Sequence, residues 1–139
     1  MKPKEYLLQY RRALERVRQI EEQLARLYAE AEVQAAAPKE MNVKGSGRKR
    51  DRTATIAVRI AEASERLDSQ KLDALEAMKE ISAVIDSVPD PIQSRLLFDR
   101  YVTGMSWEQV ATDICFDPVY TRGRLHGTAL EAVRVILRG

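Results

Sequence analysis

A single cysteine, Cys115, and a single histidine, His126, stand in a chain of 139 residues. One thiol cannot close an internal disulfide, and one residue of each type cannot build a cysteine/histidine zinc site. A carboxylate-only metal site needs a local acidic cluster, whereas the acids here alternate with bases. No metal or other cofactor is therefore expected. Aromatic residues make up 6% of the chain, and six Gly and five Pro are all that it holds. That shortage argues against β-sandwiches and barrels, which need aromatic and β-branched strands and frequent turns. No apolar run approaches the ~18 residues of a membrane span. The opening Met1-Lys2-Pro3-Lys4-Glu5 lacks the apolar centre of a secretory signal. The expectation is a soluble cytoplasmic protein without a membrane partner, where an unpaired thiol is ordinary.

What remains is rich in Ala, Leu, Glu, Arg, Lys and Gln, the composition of long helices. Over residues 3–36, Leu7, Tyr10, Leu14, Val17, Leu24, Tyr28 and Ala31 recur at spacings of three, four and seven, with Ile20 and Leu27 beside them. Charged side chains fill the opposite face, so the segment predicts one long amphipathic helix. Over residues 53–88 a second stripe runs through Ile56, Ile60, Ala63, Leu67, Ala74, Met78, Ile81, Ile85 and Val88. Between them the periodicity stops. Gly45-Ser46-Gly47 reads as a flexible spacer beside a basic run, so residues 37–53 are expected to be a loop. The formal charge of +2 is unevenly spread: +1 over 1–36, +4 over 37–53, −3 over 54–88 and zero over 89–139. Two long amphipathic helices joined by a loop predict an antiparallel, coiled-coil-like hairpin over residues 1–88. Such a hairpin leaves apolar surface uncovered, which predicts a homodimer or higher homo-oligomer.

The last fifty residues carry sharper local signals. Pro89-Asp90-Pro91 breaks the second helix and opens a third, with Asp90 as N-cap and Pro91 at the first helical position. Gly104 is placed to end it. Ser106-Trp107-Glu108-Gln109 is a capping box opening a short helix, with Val110, Ala111 and Ile114 inward. Trp107 is expected to plug the core and Cys115 to be a small buried turn residue. Asp117-Pro118 repeats the cap signal, and a final helix follows with Leu125, Ala129, Val133 and Ile136 inward. The layout over residues 89–139 is that of a helix-turn-helix DNA reader. With Asp117 as N-cap, Thr121 and Leu125 phase toward the core. Val119, Tyr120, Gly123, Arg124 and Gly127 phase outward with Arg122 at the flank, and no acid lies between Pro118 and Thr128. Arg can read guanine bidentately, and Tyr or Thr can contact a phosphate or a base edge. The candidate reading set is Val119, Tyr120, Thr121, Arg122, Arg124 and His126. Ser106 and the basic Arg48, Lys49, Arg50 and Arg52 are candidates for phosphate contact. Gly123 and Gly127 each lower helix propensity by ~1 kcal/mol relative to Ala, which bare backbone facing a groove or a neighbouring helix would explain.

The run Arg100-Tyr101-Val102-Thr103-Gly104-Met105-Ser106-Trp107-Glu108-Gln109-Val110-Ala111 resembles the final DNA-binding region of bacterial sigma factors. Arg124-Leu125-His126-Gly127-Thr128-Ala129-Leu130 is similar to a family of small phage-associated, sigma-like transcription regulators. The likeness extends upstream to a helical first half, a Gly-rich basic interruption and a Pro-Asp-Pro-type junction. The resemblance implies a regulator of phage or prophage genes in a bacterial host. Late-gene activation with host RNA polymerase is one form it takes, and repression is equally compatible. Two features depart from the family: Cys115-Phe116 stands where the tight turn usually holds Gly, and residues 117–126 are about one residue longer than usual.

Two other readings compete. A phage terminase small subunit also joins a helix-turn-helix to coiled-coil helices. A protein–protein module binding RNA polymerase fits the balanced charge of residues 89–139. An enzyme is not expected, because no nucleophile–base pair or phosphate-cradling Gly loop appears; Gly45-Ser46-Gly47 lacks the Gly-Lys-Ser/Thr ending and the preceding strand of a Walker motif.

Overall fold

A computed structural model describes residues 1–36 and 46–139, the side chains of 46–49 excepted. Of the described residues 89% are helical, and none lies in a strand. Helix α1 covers Pro3–Ala35 and α2 covers Ser46–Asp86. Helix α3, Pro91–Leu97, runs on into a π-helical segment, Phe98–Thr103. Helix α4 covers Trp107–Ile114. The last rod comprises α5, Pro118–Tyr120, a π segment, Thr121–Leu125, and α6, His126–Arg138. Among the described residues no helix is long and apolar enough to cross a membrane.

The basic stretch expected as a loop over 37–53 is corrected at its C-terminal end. Residues 37–45 lie outside the described residues, but helix α2 already begins at Ser46. Arg48-Lys49-Arg50 and Arg52 are good helix formers, and one Gly near the first turn does not outweigh them.

The chain forms two compact units, one of Met1–Leu14 with Asp73–Gly139, the other of Glu15–Leu72. Packing thus divides the molecule differently from the expected boundary at 88/89. In the second unit α1 and α2 run antiparallel: Arg16 Nε donates to Gln70 Oε1 at 3.0 Å, and Arg66 Nη2 donates to Gln23 Oε1 at 2.7 Å, so positions ascend on one helix as they descend on the other. Leu24, Leu27 and Ala63 are buried there, flanked by Ile20, Ile60 and Leu67. Tyr28, expected on the apolar stripe, is 53% exposed, and Leu27 takes the inward place.

In the first unit the core joins both ends of the chain. Leu7, Ile81, Ile85 and Val88 are buried with Leu96, Leu97, Tyr101, Val110, Ala129 and Val133. The helix-turn-helix therefore completes its core with turns of α1 and α2. Aromatic bulk contributes less than its clustering suggests. Tyr101 is buried and Trp107 packs at the margin, while Phe98 and Phe116 are each 39% exposed.

The caps form as the sequence dictates. Asp90 Oδ1 accepts from the Ile92 and Gln93 amides, and Ser106 and Gln109 exchange both bonds of the capping box. Asp117 Oδ2 accepts from the Tyr120 amide. Gly104 closes the first π segment at φ 82°, its N–H donating to the Asp99 carbonyl. The tight turn after α4 keeps a left-handed residue although no Gly is present: Cys115 adopts φ 63°, ψ 43° and is exposed, not buried. A non-Gly residue there costs ~1–2 kcal/mol. The turn is preserved at the expense of strain.

Candidate nucleic-acid interface

The expected final helix forms, but with a π turn that changes which side chains point out. An α-helix places residues five apart ~140° around its axis. A π turn, closing its hydrogen bonds five residues back, absorbs one extra residue and realigns them. Thr121 and His126 accordingly lie on the same inward side, at 0% and 8% exposure. Both were expected in the reading set, and both are corrected: they are interior residues. For His126 the π turn is the reason: it brings the imidazole to the side that Thr121 occupies.

The same turn leaves Arg122, Gly123 and Arg124 all exposed. Val119 is 82% exposed and Tyr120 43%, its ring stacked on Phe116 with centroids 6.1 Å apart. Gly127 and Thr128 continue the face. Thr128 Oγ1 donates to the Arg124 carbonyl at 2.9 Å, so its hydroxyl is turned to its own helix. Neither Arg122 nor Arg124 has an ion-pair partner among the described residues, unlike Arg95 and Arg134, which are held by Asp99 and Asp113 and by Glu131. A Cβ added to Gly123 or Gly127 would meet nothing within 4 Å. Packing within the chain does not explain these two glycines.

Ser106, expected as a phosphate contact, is exposed but engaged as N-cap, its Oγ accepting from the Gln109 amide at 3.2 Å. Arg50 and Arg52 are exposed in the first turns of α2, which belong to the other unit. Arg48 and Lys49 have side chains outside the described residues.

Inward of residues 119–128 lies a buried polar cluster that the sequence did not announce. Tyr101 Oη and His126 Nε2 are 2.6 Å apart, and the Trp107 ring meets the imidazole edge-on at 4.6 Å. Arg100 stacks over Trp107 at 4.6 Å and donates to the Met105 carbonyl. Burial, with Lys4 and Arg100 nearby, pulls His126 down to about 4, and burial pushes Tyr101 up to about 12. Both partners are uncharged at neutral pH. Asp99 is 1% exposed, and its Oδ2 has no hydrogen-bond partner. Burial and the adjacent Asp113 push its carboxyl up to about 6 against the pull of Arg95, which lies 3.2 Å from Oδ1. Arg95 Nε also donates to Asp113 Oδ2 at 2.7 Å, tying the end of α3 to α4 and holding Asp113 below the usual carboxylate range.

These shifts have opposite consequences for stability. His126 contributes stability that is fully present above its ordinary 6.5 and lost as pH falls toward about 4. Asp99 does the reverse: its penalty, present above about 6, is relieved as pH falls toward 3.8. The two slopes offset each other between pH 4 and 6. Asp99→Asn is therefore expected to be more stable than the parent above pH 6 and to lose stability more steeply on acidification to pH 4. Urea midpoints measured across this range check it; parallel curves for the two proteins would refute it.

No group of three or more His, Cys, Asp or Glu able to hold a metal ion occurs among the described residues. The chain matches no family model, and no curated protein or solved structure is significantly similar to it.

Proposed function

We propose that the chain binds duplex DNA through the outer face of residues 119–128 and acts as a homo-oligomeric transcription regulator, with phage or prophage genes as targets on the strength of the sigma-like motif. The observation that carries this reading is an acid-free exposed helix face bearing two unpaired guanidinium groups beside two glycines whose Cβ positions are open space. Arg122 and Arg124 can reach guanine edges or phosphates, and Val119 and Tyr120 supply apolar and hydroxyl contacts. The glycines let a groove wall approach the helix backbone closely. Tyr28, Val33, Val58 and Leu72, all more than half exposed in the second unit, supply apolar surface for a second copy. A dimer would set its half-sites about one helical turn, ~34 Å, or a multiple of it apart.

Gly127→Ala separates folding from binding at this face. In an exposed helix interior the change is expected to raise stability by about 1 kcal/mol. Its methyl group would nevertheless stand between the helix and the groove. The expected result is a higher melting temperature together with at least a tenfold weaker fluorescence-anisotropy titration of duplex DNA. Tighter or unchanged binding by the stabilised variant would remove the face from the interface.

A further inference from the structure

The outer face of the last rod is not the only place where unpaired cations collect in the first unit. Arg11 of α1 lies against Gly104, at the turn that precedes α4. A Cβ built on Gly104 would stand 2.6 Å from Cζ, Nη1 and Nη2 alike, so the guanidinium is presented face-on to the bare glycine. Nothing in the sequence links these positions; the fold brings them together because Leu7, one turn earlier on α1, is buried in the core that the helix-turn-helix shares. Arg11 is half-buried along its stem, yet its guanidinium has neither a hydrogen bond nor an ion pair among the described residues. Lys4, two turns before it, is exposed and unpaired, and its charge helps keep His126 neutral from outside. Arg100 completes the group on the Trp107 ring. The one acid in the first turn of α4 is Glu108.

Lys4, Arg11 and Arg100 have no carboxylate partner among the described residues, and an anion is the chemistry that would pair them. The group stands at the turn that opens α4, the helix before the last rod: Arg11 lies against Gly104, and Arg100 donates to the Met105 carbonyl. We propose that Lys4 and Arg11, with Arg100, form a phosphate-contacting patch that grips the DNA backbone beside the groove entered by the last rod. This inference rests on the DNA-binding reading above and deepens it. The N-terminal turns of α1 then serve recognition as well as packing. Base edges would be read by the rod, and the duplex would be held in register by a segment more than ninety residues away in sequence.

The test uses the full-length chain and anisotropy titrations over a salt series, on a duplex selected by the chain from a random pool and on an unrelated duplex. Lys4→Gln and Arg11→Gln are each expected to weaken binding to both duplexes by a similar factor and to lower the salt slope by about 1. Arg11→Lys should restore most of the slope. Arg12→Gln, one position away and exposed, serves as the control and should change neither quantity. Lys4 is exposed, so its variant is expected to fold whatever happens on replacing Arg11. If both glutamine variants titrate like Arg12→Gln while Arg122→Ala and Arg124→Ala lose affinity, the patch is refuted and the reading face stands. If the parent chain binds no duplex at all, the DNA-binding reading itself fails.

Discussion

Leu7→Ala is expected to destabilise the unit carrying the helix-turn-helix by ~3 kcal/mol, the usual loss when a fully buried Leu leaves a cavity. Leu7 is 0% exposed and packs in one core with Ile81, Ile85, Leu96, Leu97 and Val133. The substitution lies more than eighty residues from α3, so a helix-turn-helix folding by itself would not register it. Trp107, the only tryptophan, sits at the edge of that core, and its fluorescence reports unfolding of this unit. Urea unfolding followed at that signal should show the loss. Glu30→Ala, at an exposed position in the other unit, should change the signal's midpoint by less than the equivalent of ~0.5 kcal/mol. Equal effects from the two substitutions would mean that the shared core is not what holds the C-terminal helices.

Arg122→Ala combined with Arg124→Ala carries the second large expectation. Each guanidinium that reads a guanine edge bidentately is worth ~1–3 kcal/mol of discrimination. Losing both should reduce affinity for a selected duplex by a hundredfold or more, with a smaller loss on unrelated duplex. The side chains are exposed and unpaired, so stability should stay within ~0.5 kcal/mol of the parent. An equal loss on both duplexes would assign these residues to the backbone and leave base reading to Val119 and Tyr120. No loss on either would end the case for this face.

Much of the architecture was legible because local chemistry and long-range packing agree. Asp90-Pro91, Ser106 with Gln109, Gly104 and Asp117-Pro118 each mark an element end through bonds made within a few residues, and each end lies where those bonds require. The stripe from Ile56 to Val88 is buried or half-buried on the inward side of α2 for the same reason: its periodicity needs no knowledge of the partner. What could not be read depended on departures from regular helix geometry or on distant neighbours. A π turn leaves no simple composition mark, so nothing in the sequence sets His126 beside Tyr101 on the inward side. Asp99 carries no local signal of burial, yet it lies buried beside Arg95. Arg11 looked like one more charge on a solvated face; only the return of residues 89–139 onto α1 sets it against Gly104.

Selection of bound sequences from a random pool of duplex DNA tests the central claim most directly. The parent chain is expected to enrich a discrete motif containing guanines, and the Arg122→Ala, Arg124→Ala double variant to enrich none. A pool that emerges unenriched from the parent, at a salt concentration low enough for nonspecific binding to be measurable, would contradict the assignment of residues 119–128 as a sequence-reading surface.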